Sequence, residues 1–223
     1  YNGLYTDHVI ELMPNDVSIY GLPDNTTAHG WVIDTGTSGV NAHDVNLGAG
    51  GLNALLITHT APGAGDYGDA PRYLFFDQLV ADTSSAGDGI KFDSSLSSND
   101  VYATFTNSWA AASGLNSGGI ATASANGIGI YGGRSISFQG IIRANANNGV
   151  YINGANVYGV IIYGTSIVAN NSANNGDGHG VYLNAAAGSV RLQGNLIGNV
   201  IEGGNQKYGV KISAANIPNV AVV

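Results

Sequence analysis

Two five-residue strings set the organisation of this chain: Gly-Val-Tyr-Ile-Asn at 149–153 and Gly-Val-Tyr-Leu-Asn at 180–184. Each is followed by a glycine-punctuated apolar run and an Asn/Gly turn, and a third string, Gly-Val-Lys-Ile-Ser, opens at Gly209. A unit of this size cannot bury a strand face alone. It has to stack on copies of itself, which is the signature of a β-solenoid.

The register extends upstream through Gly30-Trp-Val-Ile-Asp34, Gly89-Ile-Lys-Phe-Asp93 and Gly119-Ile-Ala-Thr-Ala123. The marker glycines Gly89, Gly119, Gly149, Gly180 and Gly209 stand 30, 30, 31 and 29 residues apart. Gly30 to Gly89 is 59 residues, room for two coils, with a strand expected at Asn53–Thr58 and a loop insertion at 61–72. Second strand regions follow at Val101–Thr106, Ser135–Ile142, Val160–Ile167 and Ser189–Ile197. Coils stacked in one direction make parallel strands, and crossovers of one hand follow. The expected fold is all-β: a right-handed parallel β-helix (solenoid) of about 30 residues per coil over 30–223. Residues 1–29 read as entry strands, His8–Leu12 and Val17–Leu22, separated by turns at Pro14-Asn15-Asp16 and Pro23-Asp24-Asn25. The whole reads as one continuous domain. Neither end carries a polar cap, so a piece of a longer chain, or ends covered by partners, is expected.

Strand residues alternate faces. After each marker glycine, Trp31, Ile90, Ile120, Val150, Val181 and Val210 are expected inward, as are Ile33, Phe92, Thr122, Ile152, Leu183 and Ile212. Between them Val32, Lys91, Ala121, Tyr151, Tyr182 and Lys211 point outward. The strand-end position holds Asp34, Asp93, Asn153, Asn184 and Ser213, a ladder of groups able to bond rung to rung. Asn-rich turns at Asn145–Asn148, Asn170–Gly178 and Gly203–Asn205 suit corners where φ is positive.

Charge and composition exclude several classes of function. The formal net charge is −8 with no basic cluster, which argues against nucleic acid. There is no cysteine, hence no disulfide or thiolate metal site. No apolar stretch reaches ~18 residues, so no membrane insertion is expected.

With strands of the form Gly-Val-x-Ile-Asn and Asn-rich turns on a 30-residue period, the chain resembles the right-handed parallel β-helix proteins of the pectate lyase and polygalacturonase type, phage tailspikes included. Polygalacturonases carry Asn-Thr-Asp, Asp-Asp, Gly-His-Gly and Arg-Ile-Lys on successive coils. Here those coils read Asn116-Ser117-Gly118, Asn147-Asn148, Gly178-His179-Gly180 and Lys211-Ile212-Ser213. The family carboxylates are thus Gly118, Asn147 and Asn148, and neither glycine nor an amide can protonate a leaving oxygen or activate water. Trp31-Val32-Ile33-Asp34 is similar to a pectate lyase run, but Thr35 follows in place of histidine. None of the four arginines, Arg72, Arg134, Arg143 and Arg191, sits in a lyase motif, and the calcium-binding nonapeptide is missing.

Outward Tyr151 and Tyr182, flanked by Lys91 and Lys211, suit a sugar ring, whose C–H face lies on an aromatic ring while lysine bonds hydroxyl or carboxylate. Tyrosine also simply favours strands. Catalytic candidates are Asp34 and Asp93, about 10 Å apart if two rungs separate them, and His179, beside Asp177. Each has a plainer reading, as ladder or turn residue. His59, Asp66, Asp69 and Arg72 lie in or beside the insertion, and His43-Asp44 is a lone pair; two carboxylates do not make a calcium site, and no metal or cofactor is expected. The resulting expectation is an extracellular or virion-surface appendage contacting surface polysaccharide, by binding rather than catalysis, with a homotrimer implied by the tailspike resemblance. A secreted polysaccharide lyase or glycoside hydrolase and a ligand-free fibre spacer are the alternatives.

Overall fold

The computed structural model describes residues 3–21, 27–48, 51–61, 69–116, 118–173, 177–186, 188–198, 205–213 and 219–223. One sheet holds eight strands in spatial order Leu4–Thr6, Trp31–Ile33, Leu55–Ile57, Ile90–Phe92, Ile128–Ile130, Val150–Gly154, Val181–Ala186 and Val210–Ile212. The second runs Asn15–Tyr20, Ser38–Gly48, Arg72–Asp77, Asp100–Ala111, Arg134–Arg143, Tyr158–Tyr163, Val190–Gln193 and Val220–Val222. Every pairing between these strands is parallel, so each coil contributes one rung to each sheet: a parallel β-helix. Long rungs bend across a corner. Arg134–Phe138 pairs with Tyr158–Ile162, while Ile141–Arg143 of the same strand pairs with Ser166–Val168. The only helical segment among the described residues is a 3-10 turn at Ser94–Leu96, so no described helix can cross a membrane.

The marker glycine has a steric cause. A Cβ on Gly149 would lie 2.6 Å from the Gly180 carbonyl oxygen, and one on Gly180 2.6 Å from that of Gly209. Inside, the alternating apolar residues fill the coil, with Trp31, Ile33, Phe92, Val150, Ile152, Val181 and Leu183 fully buried. An aromatic stack runs through the middle. Phe76 and Phe105 lie parallel at 4.6 Å, Trp31 and Phe92 meet them edge-on at 5.8 and 6.1 Å, and Phe138 follows at 5.9 Å.

Corners are built from files of left-handed residues. One file, in register along the second sheet, is Glu11, Gly39, Tyr73, Tyr102, Ser135, Gly159, Ser189 and Asn219. Another is Thr83, Ala112, Ala144 and Ala169. Positive φ is therefore carried mainly by residues other than the turn asparagines, although Asn171 has it too. Asn145 and Asn170 instead bond through their side chains across rungs: Asn145 Nδ2 donates to Asn170 Oδ1 at 2.8 Å, and Asn170 Nδ2 to Gln206 Oε1 at 3.0 Å. All three are buried.

Several expectations are corrected. The rung between Gly89 and Gly149 starts at Gly127, not Gly119: Ile128 pairs with Ile90 on one side and Val150 on the other. The two intervals are 38 and 22 residues, averaging to the expected period. A Cβ on Gly127 would meet the Gly149 carbonyl oxygen at 2.8 Å, whereas nothing lies within 4 Å of one on Gly119. Gly119–Ala123 belongs to an excursion closed by an antiparallel Leu115–Ala121 bridge; Ile120, expected inward, is 66% exposed, and Thr122 is exposed as well. The first strand is Leu4–Thr6, not His8–Leu12, where only Ile10 forms a bridge. Val32, expected outward, is buried, and Val210 and Ile212 in the last rung are partly or largely exposed. Most of the insertion, and the Pro23-Asp24-Asn25 turn, lie outside the described residues.

Candidate functional site

The outward file of the first sheet reads Tyr5, Val32, Leu56, Lys91, Gly129, Tyr151, Tyr182 and Lys211. Its later half forms a groove of two adjoining clefts, about 330 and 570 Å³, that share Ser124 and Tyr131. Tyr131, Tyr151 and Tyr182 line it as a continuous aromatic series: Tyr131 meets Tyr151 edge-on at 5.9 Å, and Tyr151 meets Tyr182 at 5.3 Å. Lys91 Nζ lies 5.4 Å from the Tyr131 ring centre and Lys211 Nζ 4.4 Å from that of Tyr182. Asn184 pins two of the rings. Its Nδ2 donates to Tyr151 Oη at 3.2 Å, and its Oδ1 accepts from Tyr182 Oη at 3.1 Å.

Gly129 explains how Tyr131 enters this surface. A Cβ there would collide with Asp88 Oδ2 and lie 2.7 Å from the Tyr131 ring. The missing side chain lets Tyr131 Oη donate to Asp88 Oδ2 at 3.1 Å over the strand. Asp88 Oδ1 accepts from Asn126 N at 2.8 Å and Nδ2 at 3.0 Å. Burial pushes the Asp88 carboxyl above the usual carboxylate range despite these donors. Burial, then the adjacent Asp88 charge, holds the Tyr131 phenol far above its ordinary value.

Asp88 starts a second ladder beneath the groove wall. Asn148 Nδ2 donates to Asn126 Oδ1 at 2.9 Å, and His179 N donates to Asn148 Oδ1 at 2.8 Å. Each member precedes a rung glycine, as His29 precedes Gly30. The His179 ring is buried between Tyr182, edge-on at 5.2 Å, and Tyr208, stacked at 5.4 Å, with Nε2 3.4 Å from Asp177 Oδ1. Burial, then Lys211, lowers its pKa, so the imidazole is neutral at pH 7. Asp177 is exposed at the groove rim, 3.2 Å from Lys211 Nζ, which holds its carboxyl below the usual range.

Thus Tyr151, Tyr182, Lys91 and Lys211 share one face, with Lys91 separated from Tyr151 by the Gly129 rung. Asn147 and Asn148 line the larger cleft, while Gly118 sits exposed on the excursion. Once the rung is set at Gly127, the pre-strand residue of that coil is Asn126 rather than Gly118, again an amide. Asp34 and Asp93 stand two rungs apart as expected, with the Leu55–Ile57 rung between them, and each is held by its own partners. Asp34 accepts from Thr60 N and Oγ1, Thr35 N and Oγ1, and Tyr5 Oη. Desolvation raises its pKa, but these donors outweigh it and pull the carboxyl down to about 2, while the Tyr5 phenol rises to about 12. Asp93 caps the 3-10 turn through Ser95 N at 3.0 Å and pairs with Lys91 at 3.2 Å in the smaller cleft. Of the expected strand-end ladder, only Asn184 Nδ2 to Asn153 Oδ1, 3.0 Å, forms directly.

His43 turns away from Asp44, to Asn15 Oδ1 at 3.2 Å and Asp77 Oδ2 at 3.4 Å on the second sheet. Asp69 pairs with Arg72 at 3.2 Å, the His59 amide donates to Ser95 Oγ, and Asp66 lies outside the described residues. No group of three or more His, Asp or Glu able to hold a metal occurs among the described residues. Sequence reasoning missed Asp88, Asn126 and Tyr131. For Asp88 and Asn126 the signal was the polar residue directly before each rung glycine; Tyr131, just after the Ile128–Ile130 rung, had none.

Fold and groove define the class: a parallel β-helix with an aromatic, lysine-flanked groove on one sheet. No family model and no curated protein matches the chain. Among solved structures it is similar to the A-modules of two Azotobacter vinelandii mannuronan C-5 epimerases. The AlgE4 module shares 16% identity at a TM-score of 0.71, covering 100% of this chain and 54% of that one. The AlgE6 module shares 15% identity at 0.71, covering 100% and 53%. The chain therefore spans about half the length of these modules, and the likeness shows the shared fold.

Proposed function

We propose that this chain is the β-helical body of an extracellular or virion appendage, of tailspike or tail-fibre type, that binds polysaccharide along the first sheet. The observation carrying this reading is the Tyr131–Tyr151–Tyr182 series with Lys91 and Lys211 at its two ends. Pyranose rings offer C–H faces to tyrosines fixed by Asn184, and the ammonium groups, paired with Asp93 and Asp177 in the free chain, turn to hydroxyls or a uronate carboxylate on binding. The structural neighbours support it, being named for an enzyme that acts on mannuronan, a uronate polymer. Calorimetric titration with oligomannuronate, and with neutral oligosaccharides beside it, tests the groove. Tyr151→Ala and Tyr182→Ala are each expected to weaken binding about tenfold or more. Binding unchanged in both variants sinks the reading. Three copies associate on the tailspike model; sedimentation that yields only monomer at micromolar concentration removes the trimer and leaves the groove.

One observation favours a second reading, catalysis in the same groove: a buried carboxylate, Asp88, held against a phenol, Tyr131, with Lys91 above the ring. Pairs of titratable groups with displaced pKa values cluster where proton transfer occurs. The lyase form predicts unsaturated uronate absorbance from acidic polysaccharide, abolished in Asp88→Asn; C-5 inversion would show as a changed proton spectrum of an uncut polymer. Polymer unchanged on both counts removes this reading and leaves binding.

A further inference from the structure

The second sheet carries a separate aromatic feature that the groove does not use. Tyr73 and Tyr102 occupy consecutive places in the left-handed corner file, with φ of 58° and 48°. Their neighbours in that file are Gly39 on one side and Ser135, then Gly159, on the other. A position that is glycine or serine at Gly39, Ser135, Gly159 and Ser189 is here filled twice by tyrosine. Neither ring is used for the core: Tyr73 is 46% exposed and Tyr102 44%. The rings stack on each other, 5.3 Å apart and within 8° of parallel. Because the flanking rungs carry Gly39 and Ser135, no large side chain of the file covers the ends of the stack.

Polar groups converge beside it. Asp69, Arg72, Asn99 and Asp100 surround a cleft of about 320 Å³ whose floor includes both tyrosines. Arg72 lies 5.9 Å from the Tyr73 ring centre and 3.2 Å from Asp69, so its guanidinium is held by a ring and a carboxylate at once. Flat aromatic rings with Asp, Asn and Arg at their edge match the chemistry of a sugar ring: an apolar face, hydroxyl donors for carboxylates, and hydroxyl acceptors for the guanidinium. Two carboxylates against one guanidinium leave the cleft net negative, on a chain whose own net charge is −8. A polyanion is disfavoured there. We infer that Tyr73, Tyr102, Arg72 and Asp100 form a second carbohydrate site, on the face away from the groove, that takes the pyranose ring of a neutral glycan.

The positive φ values supply a variant that removes the rings without harming the backbone, since glycine accepts that conformation. Maltohexaose, cellohexaose and mannohexaose are titrated by calorimetry or NMR into the wild-type chain and into Tyr73→Gly, Tyr102→Gly and the double variant. At least one hexaose is expected to bind, with about a tenfold loss in each single variant and no measurable binding in the double. Tyr151→Ala is expected to leave this binding unchanged, and the double glycine variant to leave oligomannuronate binding unchanged. That separates failure of this site from failure of the groove. No binding of any of the three neutral hexaoses, or equal binding in wild type and double variant, overturns the proposal. Thermal unfolding of the variants checks that the coil is intact.

Discussion

Asp34 and Asp88 are buried carboxylates with opposite responses to their surroundings, and the number of donors decides between them. Asp34 has five donors, and its pKa falls to about 2. Its contribution to stability is therefore present above the unfolded carboxyl pKa and lost as pH drops towards 2. Asp34→Asn should lower the melting temperature at pH 6, with the gap to wild type closing between pH 4 and pH 2. At Asp88 desolvation wins, and the folded pKa lies above the unfolded one. The folded state then holds the proton more tightly, and this group costs stability as pH rises through that interval. Asp88→Asn keeps an oxygen for Asn126 and a donor for Tyr131, so it should gain on wild type as pH rises from 4 to 7, read by urea unfolding at both values. At the rung glycines sterics decide. Gly127→Ala should cost about 1–3 kcal/mol through collision with the next rung. Gly119→Ala, strained only by its φ of 73°, should cost about 1 kcal/mol. Equal losses would return the rung to Gly119.

Along a single file of rungs, side-chain amides do what a strand cannot do for itself. Asn145, Asn170 and Gln206 sit buried at successive corners, each donating to the next. Truncating the middle member removes the Asn170 Oδ1 acceptor of Asn145 N and Nδ2 and one donor to Gln206 Oε1, while Ala110 O still accepts from Asn145 Nδ2 and the Asn170 amide still donates to Gln206. Asn170→Ala should therefore destabilise by about 1–3 kcal/mol, the cost of buried bonds lost without water to replace them. Asn153→Ala, on the half-exposed strand-end pair with Asn184, should cost under about 1 kcal/mol because water replaces the lost partner. Urea midpoints for the two variants check the contrast. The left-handed files serve the same elements differently: each L-residue there costs about 1–2 kcal/mol, and the parallel pairing that resumes on either side of the corner offsets it.

Across the whole molecule, coils touch only their neighbours in the stack, so stability is a sum of rung terms and interfaces. The aromatic stack from Trp31 to Phe138 concentrates burial in the middle coils. The last rungs have Leu196 57% and Ile212 49% exposed. Amide hydrogen exchange should be slowest in Arg72–Asp77, Asp100–Ala111 and Arg134–Arg143, and fastest among the paired strands at Leu196–Gly198 and Val210–Ile212. Uniform protection along the axis would mean the chain unfolds as one unit.

The period of the solenoid was legible in the chain because it rests on a local collision. A Cβ at the start of a rung meets the carbonyl of the next, so glycine recurs, and inward residues alternate with it at Trp31, Ile90, Val150 and Val181. The outward Tyr151, Tyr182 and Lys211 followed from the same alternation. What only the tertiary structure decided was which glycine begins a rung where coil lengths vary, and which side chains from different coils meet. Gly119 and Gly127 are equally glycine in sequence, and only the packed neighbour at Gly149 tells them apart. Asp88 and Tyr131 are 43 residues apart and meet because Gly129 has no side chain between them. Periodicity is a property of one chain segment, whereas a site is a set of distances between segments, and those exist only once the coils are stacked.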